Sequence, residues 1–359
     1  MTRKITMPTL CALLFAPRLV RALCTSVLKP ISDRRLLIAG LCALLFALCL
    51  PAEAEQPAKV PLIGYLINSP LSASAKFQDA FRQGLRDLGH VEGKNIVIEW
   101  RSGEQSRDRQ RAIAAEFVRR KVDIIVAVGS GDIRAAKEAT ATIPIVMVLG
   151  GDVVAGGFVA SLARPGGNIT GLSTLRPELS GKRLELLKEI VPKVSRVAVL
   201  MSSSGQDYAQ VLKELDVAAG AIGVKLQHMD ILSPTDIETA FRAAAKGRAE
   251  AALVRVSAPI LDPQRKQVVE LAVKARLPVM YERAEEVEAG GLMSYGVSTT
   301  DLYRRAATYV DKILRGAKPA DLPVEQPRKF EFIINLKAAK QIGLTIPPNV
   351  LVRADKVIK

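Results

Sequence analysis

From residue 60 onward the chain alternates short aliphatic and β-branched runs with stretches whose apolar positions recur three and four apart. The run VPLIGYLI (60–67) has the length and composition of a buried strand. Residues 74–88 follow as a helix, with Phe77, Phe81, Leu85 and Leu88 on one face and Gly89 as the stop. NIVIEW (95–100) predicts the next strand, a helix runs through Ile113 and Phe117, and VDIIVAVG (122–129) follows. A helix from about 133 to 141, the strand IPIVMVLG (143–150), a short helix near 156–163 and NITGLS (168–173) complete the set. Strands alternating with helices in this way build right-handed βαβ units and hence a parallel sheet covered on both faces.

The same pattern then restarts. A helix over 180–190 ends before Pro192, and SRVAVLM (195–201), VKLQHMDI (224–231), EAALVRV (250–256) and LPVMY (277–281) read as strands separated by helices at about 207–220, 235–246 and 262–275. Two doubly wound α/β lobes of similar size are expected, with the Pro- and Gly-punctuated segment RPGGNITGL (164–172) as the first crossing between them. GLMSYG (291–296), a helix over 300–315, a stretch marked by Pro319, Pro323 and Pro327, and KFEFIINLKAAKQIG (329–343) are too little for a third domain. They read as the chain passing back between lobes through a hinge. The expected boundaries are a leader over 1–54, one lobe from 60–172 plus 296–325, and a second from 173–295 plus 326–359.

Composition agrees with this class: 359 residues suit two domains, and 49% hydrophobic content with only 4% aromatic suits sheets covered by helices. It also marks the first 54 residues as different. All four cysteines (Cys11, Cys24, Cys42, Cys49) lie there. Asp33, Arg34 and Arg35 precede an uncharged run from Leu36 to Leu50, and Ala52-Glu53-Ala54 has the spacing a signal peptidase accepts. A cleaved secretory leader ending near Ala54 is expected, which makes the protein periplasmic. The apolar run is shorter than the roughly 20 residues a membrane span needs, so an uncleaved anchor is the lesser alternative. Leu41 and Leu48 precede Cys42 and Cys49 where a lipoprotein signal needs a small residue. Residues 1–30 exceed what such a leader requires, which raises Val27 or Leu28 as an alternative start.

Without residues 1–54 the chain carries 44 basic and 34 acidic residues, a net charge of +10. The charges are interspersed, as in KRLELLKE and DLYRR, which is the pattern of solvated helix faces. No basic, aromatic-rich cluster suggests a nucleic-acid partner.

Ligands of doubly wound sheets sit beyond the carboxyl ends of the strands, where glycine allows close backbone approach and small polar side chains supply hydrogen bonds. In the first lobe those positions are Asn68, Ser69, Gly129, Ser130, Gly131, Gly151 and Asp152. In the second they are Ser202, Ser203, Ser204, Gln206, Tyr208, Ser257, Tyr281 and Glu282. Asp152 and Glu282 are candidates for an ammonium group, with helix N-termini at Ser130 and Ser203 for a carboxylate. The competing reading is that both acids cap helices. Arg255, within a strand, is expected to pair with a neighbouring acid in preference to binding an anion. No catalytic motif is present: the chain beyond residue 54 has no cysteine, His90 and His228 read as structural, and neither a nucleophile elbow nor a phosphate loop nor a metal-site pattern occurs. No enzyme activity, metal or cofactor is expected.

Several long blocks together resemble a known family: FRQGLRDLGHVEGKNIVIEW, IPIVMVLGGD, VASLARPGGNITGLS, PELSGKRLELLKEIVP, AGGLMSYG, DLYRRAATYVDKILRGAKPADLPVEQP and KFEFIINLKAAKQIGLTIPP. They are similar, over roughly residues 60–357, to the ABC-transporter substrate-binding family that includes tryptophan-binding-like proteins. The resemblance implies a type I periplasmic binding fold with three crossings between lobes, a small-molecule ligand such as an amino acid, aromatic or branched, and membrane permease and ATPase subunits as partners of a monomer. The chain departs from the family pattern at SSSGQDY (202–208), at RVSAP (255–259) and at Val153, which stands where a proline commonly follows the aspartate. A periplasmic sensing subunit for a kinase or chemoreceptor is the rival reading, since it needs the same ligand-dependent closure.

Overall fold

The first lobe is built around β1 (Leu62–Ile67), a strand buried along nearly its whole length. In the computed structural model, which describes residues 59–359 except 175–177, 204–207 and 256–257, β1 pairs in parallel with β2 (Val97–Ser102) and β3 (Ile124–Val128). Addition of β4 (Ile145–Gly150) and β5 (Ile169–Ser173) gives the order β2-β1-β3-β4-β5. Side chains alternate across a strand, so β1 sends Ile63, Tyr65 and Ile67 into one core and Leu66 into another. The first core is covered by α1 (Ala75–Asp87), through Phe81 and Leu85. The second is covered by α2 (Arg107–Arg119) and α3 (Ser130–Ala139), through Phe117 and Ile133.

The second lobe repeats the plan with α4 (Glu178–Ile190), β6 (Arg196–Met201), α5 (Tyr208–Ile222), β7 (Lys225–Asp230), α6 (Asp236–Lys246), β8 (Ala251–Arg255), α7 (Ala258–Lys274), β9 (Val279–Tyr281), α8 (Ala284–Glu288) and β10 (Met293–Val297). The chain then returns to the first lobe as α9 (Thr299–Leu314), whose Leu302, Tyr303, Ala306 and Val310 complete the core beneath α1. Gly84 of α1 permits that contact, because a Cβ there would stand 2.3 Å from the Arg304 carbonyl oxygen. A third passage leads to β11 (Phe330–Asn335), α10 (Leu336–Gln341), α11 (Pro348–Leu351) and β12 (Lys356–Ile358). The second sheet therefore has the order β12-β11-β10-β9-β8-β6-β7.

The expected fold class is the one found, with two local differences. Residues 156–163 form turns and bends where a short helix was expected. Gly157 takes a φ of +67°, and the amides of Phe158 and Val159 both donate to the Val153 carbonyl, which folds the segment back on itself. The second sheet is not wholly parallel either, since β10 and β11 run antiparallel. The three passages between sheets are tied side by side. Ser173 N donates to the Glu325 carbonyl at 2.9 Å, and Ser298 N to the Lys329 carbonyl at 3.0 Å. The leader expected over 1–54 lies outside the described residues, and among the described residues no helix is long and apolar enough to cross a membrane.

Candidate functional site

In each sheet the strand order reverses beside one central strand, between β1 and β3 in the first lobe and between β6 and β8 in the second. In doubly wound sheets the loops leaving the strands at such a reversal turn to opposite faces, and ligands bind between them. The carboxyl-end loops of the two lobes also approach each other, because Lys76 Nζ at the start of α1 lies 2.7 Å from Glu288 Oε2 at the end of α8.

In the first lobe, Asn68 and Ser69 leave β1 half-buried. Their carbonyls accept from Gln105 N at 3.0 Å and Ser102 Oγ at 2.9 Å. Gly129, Ser130 and Gly131 form the β3-to-α3 turn, which the Gly129 amide anchors to the Val148 carbonyl. Next to them stands Asp132, fully buried, with Oδ1 accepting from Gln110 Nε2 at 2.7 Å. Burial pushes the Asp132 carboxyl up to about 7, and the Gln110 amide and Asn68 N–H only partly oppose that rise. After β4, the Gly151 carbonyl accepts from Ser173 Oγ. Asp152 Oδ1 accepts from Ala155 N at 2.9 Å, so this acid caps its own turn, the competing role raised for it.

In the second lobe the hydrogen-bonding groups are more heavily committed. Ser202 is buried and donates its hydroxyl to the Ile231 carbonyl, while Ser203 bonds Asp230 through both its amide and its hydroxyl. Tyr208 begins α5 half-buried against the core. Tyr281 differs from its expected position at the ligand surface. It is 1% exposed, packed in the core with Val254, Leu261 and Val287, because β9 presents this residue to the α7 face. Ser204, Gln206 and Ser257 lie outside the described residues.

Glu282 follows β9 and is shared by two guanidinium groups, Arg183 of α4 at 3.4 Å and Arg255 of β8 at 3.8 Å. Arg255 thus pairs with an acid, as expected. Burial would raise the Glu282 pKa, but Arg255, Arg183 and Arg283 outweigh it and hold the carboxyl below its ordinary value. Arg183 is itself depressed, chiefly by its own burial, and donates to the Tyr295 carbonyl at 2.6 Å. A second cluster stands behind: Arg265 and Arg283 both bond Asp262 and the buried Glu286.

The expected residues Asn68 and Gly129–Gly131 thus converge at one reversal point, and Ser202 and Ser203 lie beside Arg255 at the other. Three residues escaped the sequence reading. Asp132 follows Gly131 directly, and its signal was an acid in the first turn of a helix after a buried strand. Gln110 and Arg183 sit on helices, and nothing in their local sequence distinguishes them from surface residues.

A family model described as ABC transporter substrate binding protein matches residues 67–358. A tyrosine-binding protein of Clostridioides difficile (strain R20291) is 28% identical over 283 residues, 79% of this chain and 80% of the relative. A conserved domain protein from Vibrio cholerae superposes with a TM-score of 0.75 at 28% identity, covering 83% of this chain and all of that one. The ABC domain from Streptococcus pneumonia crystallised with L-Trp gives 0.74 at 25% identity, over 83% of this chain and 99% of that one.

Proposed function

The chain belongs to the ABC transporter substrate binding protein family, and on that premise we propose that it captures an aromatic amino acid between its two lobes outside the cytoplasm and delivers it to a membrane permease driven by an ATPase. The lobes of this reading are residues 60–172 with 296–325 and 173–295 with 326–359. The leader is removed near Ala54, and the mature protein acts as a monomer. Asn68, Ser69, Gly129, Ser130, Gly131 and Gly151 contribute from one lobe, and Ser202, Ser203, Tyr208 and Glu282 from the other.

The observation that carries the reading is the approach of the two carboxyl-end surfaces, within 2.7 Å at Lys76 and Glu288, around polar groups at both reversal points. The tyrosine-binding relative and the L-Trp complex support an aromatic amino acid as the ligand. Ligand binds one lobe in the open form, and the second lobe adds contacts only on closure. The ligand therefore shifts the equilibrium by its differential affinity for the closed state alone.

Thermal unfolding tests this. At a ligand concentration near 100 times Kd, binding stabilises the folded state by about 2.7 kcal/mol, which raises Tm by about 4 °C. L-tyrosine or L-tryptophan is expected to give such a shift. A panel of amino acids, amides and small carboxylates that leaves Tm unchanged throughout overturns the proposal.

A further inference from the structure

Three side chains with buried polar atoms cluster where β1 and β3 end. Asp132 is fully buried. Its Oδ1 is held by Gln110, and its Oδ2 has no hydrogen-bond partner. Asn68 Oδ1 is likewise buried without a partner, and the Tyr65 hydroxyl lies nearby against that of Tyr303. The groups are close enough to act on one another: the Asn68 N–H lowers the Asp132 pKa, and the Asp132 charge raises that of Tyr65. Two glycines let the Gln110 side chain approach closely. A Cβ on Gly103 would stand 2.6 Å from Gln110 Cγ and 3.4 Å from Asn68 Oδ1, and one on Gly131 would stand 3.1 Å from Gln110 Nε2.

A buried polar atom left unsatisfied costs stability, so such atoms in native proteins are nearly always paired. Asn68 Oδ1 can only accept, the ionised Asp132 accepts at Oδ2, and a hydroxyl can accept as well. The group that satisfies them must bring several donors, and the carboxylate favours a positive charge. A primary ammonium has three N–H donors and that charge. At the second lobe's reversal point the carboxylate of Glu282 is already shared by Arg183 and Arg255.

We propose that Asp132, positioned by Gln110 and assisted by Asn68, receives the ammonium group of the ligand, and so selects amino acids over their deaminated counterparts. This rests on the reading that the protein binds an aromatic amino acid. It assigns the amino end of that ligand to the first lobe.

The test compares L-tyrosine with 3-(4-hydroxyphenyl)propionate, and L-tryptophan with indole-3-propionate, by calorimetric titration of the protein and of Asp132→Asn. The wild-type protein is expected to prefer each amino acid by at least about tenfold, the lower range for a hydrogen bond to a charged group. Asp132→Asn keeps an acceptor for Gln110 but removes the charge, and the preference should fall to within about threefold through loss of amino-acid affinity. If the wild-type protein binds the deaminated compounds equally well, the assignment is wrong, and that measurement needs no variant. If Asp132→Asn retains the full preference, Asp132 only braces the β1 loop and the assignment is again wrong, while amino-acid binding itself stands. Binding of neither partner in either pair removes both proposals together.

Discussion

The two strand-end surfaces handle charge in opposite ways. In the first lobe an acid is buried almost alone: Asp132 has one amide donor, a neighbouring backbone N–H and no cation. In the second lobe acids and guanidinium groups are interlocked, Glu282 with Arg183 and Arg255, and Asp262 and Glu286 with Arg265 and Arg283. Burial of a single charge is costly and its pKa moves toward neutrality, whereas facing opposite charges favour the ionised form, as they do for Glu282. The first surface therefore keeps hydrogen-bonding capacity in reserve at Asp132 and Asn68, whereas Glu282 at the second is already claimed by two guanidinium groups.

Breaking the network should have the largest effect. Arg183→Met removes a buried guanidinium that Glu282 and the Tyr295 carbonyl both use, and loss of one partner from a buried pair typically costs about 3–5 kcal/mol. Chemical denaturation should show that drop at neutral pH, while a change below about 1 kcal/mol would mean that Arg255 alone suffices for Glu282.

Next in size is a contrast in pH response. The Asp132 carboxyl rises from 3.8 to about 7 on folding, so the folded state holds its proton more tightly. Its contribution to stability is complete below pH 3.8 and is lost as pH rises through 7. Relative to wild type, Asp132→Asn should gain stability between pH 4 and pH 8, by at most about 4 kcal/mol. Glu282 has the opposite sign: its pKa is lowered from 4.5, so its contribution is present above 4.5 and is lost as pH falls. Glu282→Gln should flatten the acid limb of the stability curve and leave the alkaline limb alone. Parallel curves for the two variants across both limbs would refute the contrast.

The smallest effect belongs to the contact between the lobes. Lys76 and Glu288 are 45% and 39% exposed, and exposed pairs contribute under about 1 kcal/mol. Lys76→Ala should leave Tm almost unchanged. Because the pair joins the strand-end loops of the two lobes, the variant should populate a more open arrangement, seen as an increased radius of gyration in solution scattering. An unchanged scattering profile would show that the pair takes no part in closure.

Much of the fold was legible in the sequence. Phe77, Phe81 and Leu85 announced α1 by their spacing, and VDIIVAVG announced a strand buried on both faces, because both patterns are set by a few adjacent residues. The helix expected at 156–163 is replaced by turns because Gly157 takes a φ of +67° and backbone bonds to Val153 fold the segment back. Antiparallel pairing of β10 with β11 was not legible either, since direction depends on how a segment returns from the other lobe.

The candidate site was legible only as a location. Reversal points follow from alternation of strands and helices, and these led to Asn68 and to Gly129–Gly131. Tyr281 illustrates the limit: it ends its strand as expected, yet its ring is taken by the core beneath α7. Arg183 illustrates the converse, a helical residue with no local mark that reaches Glu282, 99 residues away in sequence.

Hydrophobic periodicity alone determined that this chain folds into two α/β lobes with their loops at strand ends, because a strand or helix must bury whatever face its own residues make apolar. Tertiary structure decided which of those polar groups keep unused bonding capacity. Burial and pairing are settled by segments distant in sequence, as when α2 delivers Gln110 to Asp132 and α4 delivers Arg183 to Glu282, and no short stretch of sequence contains both partners.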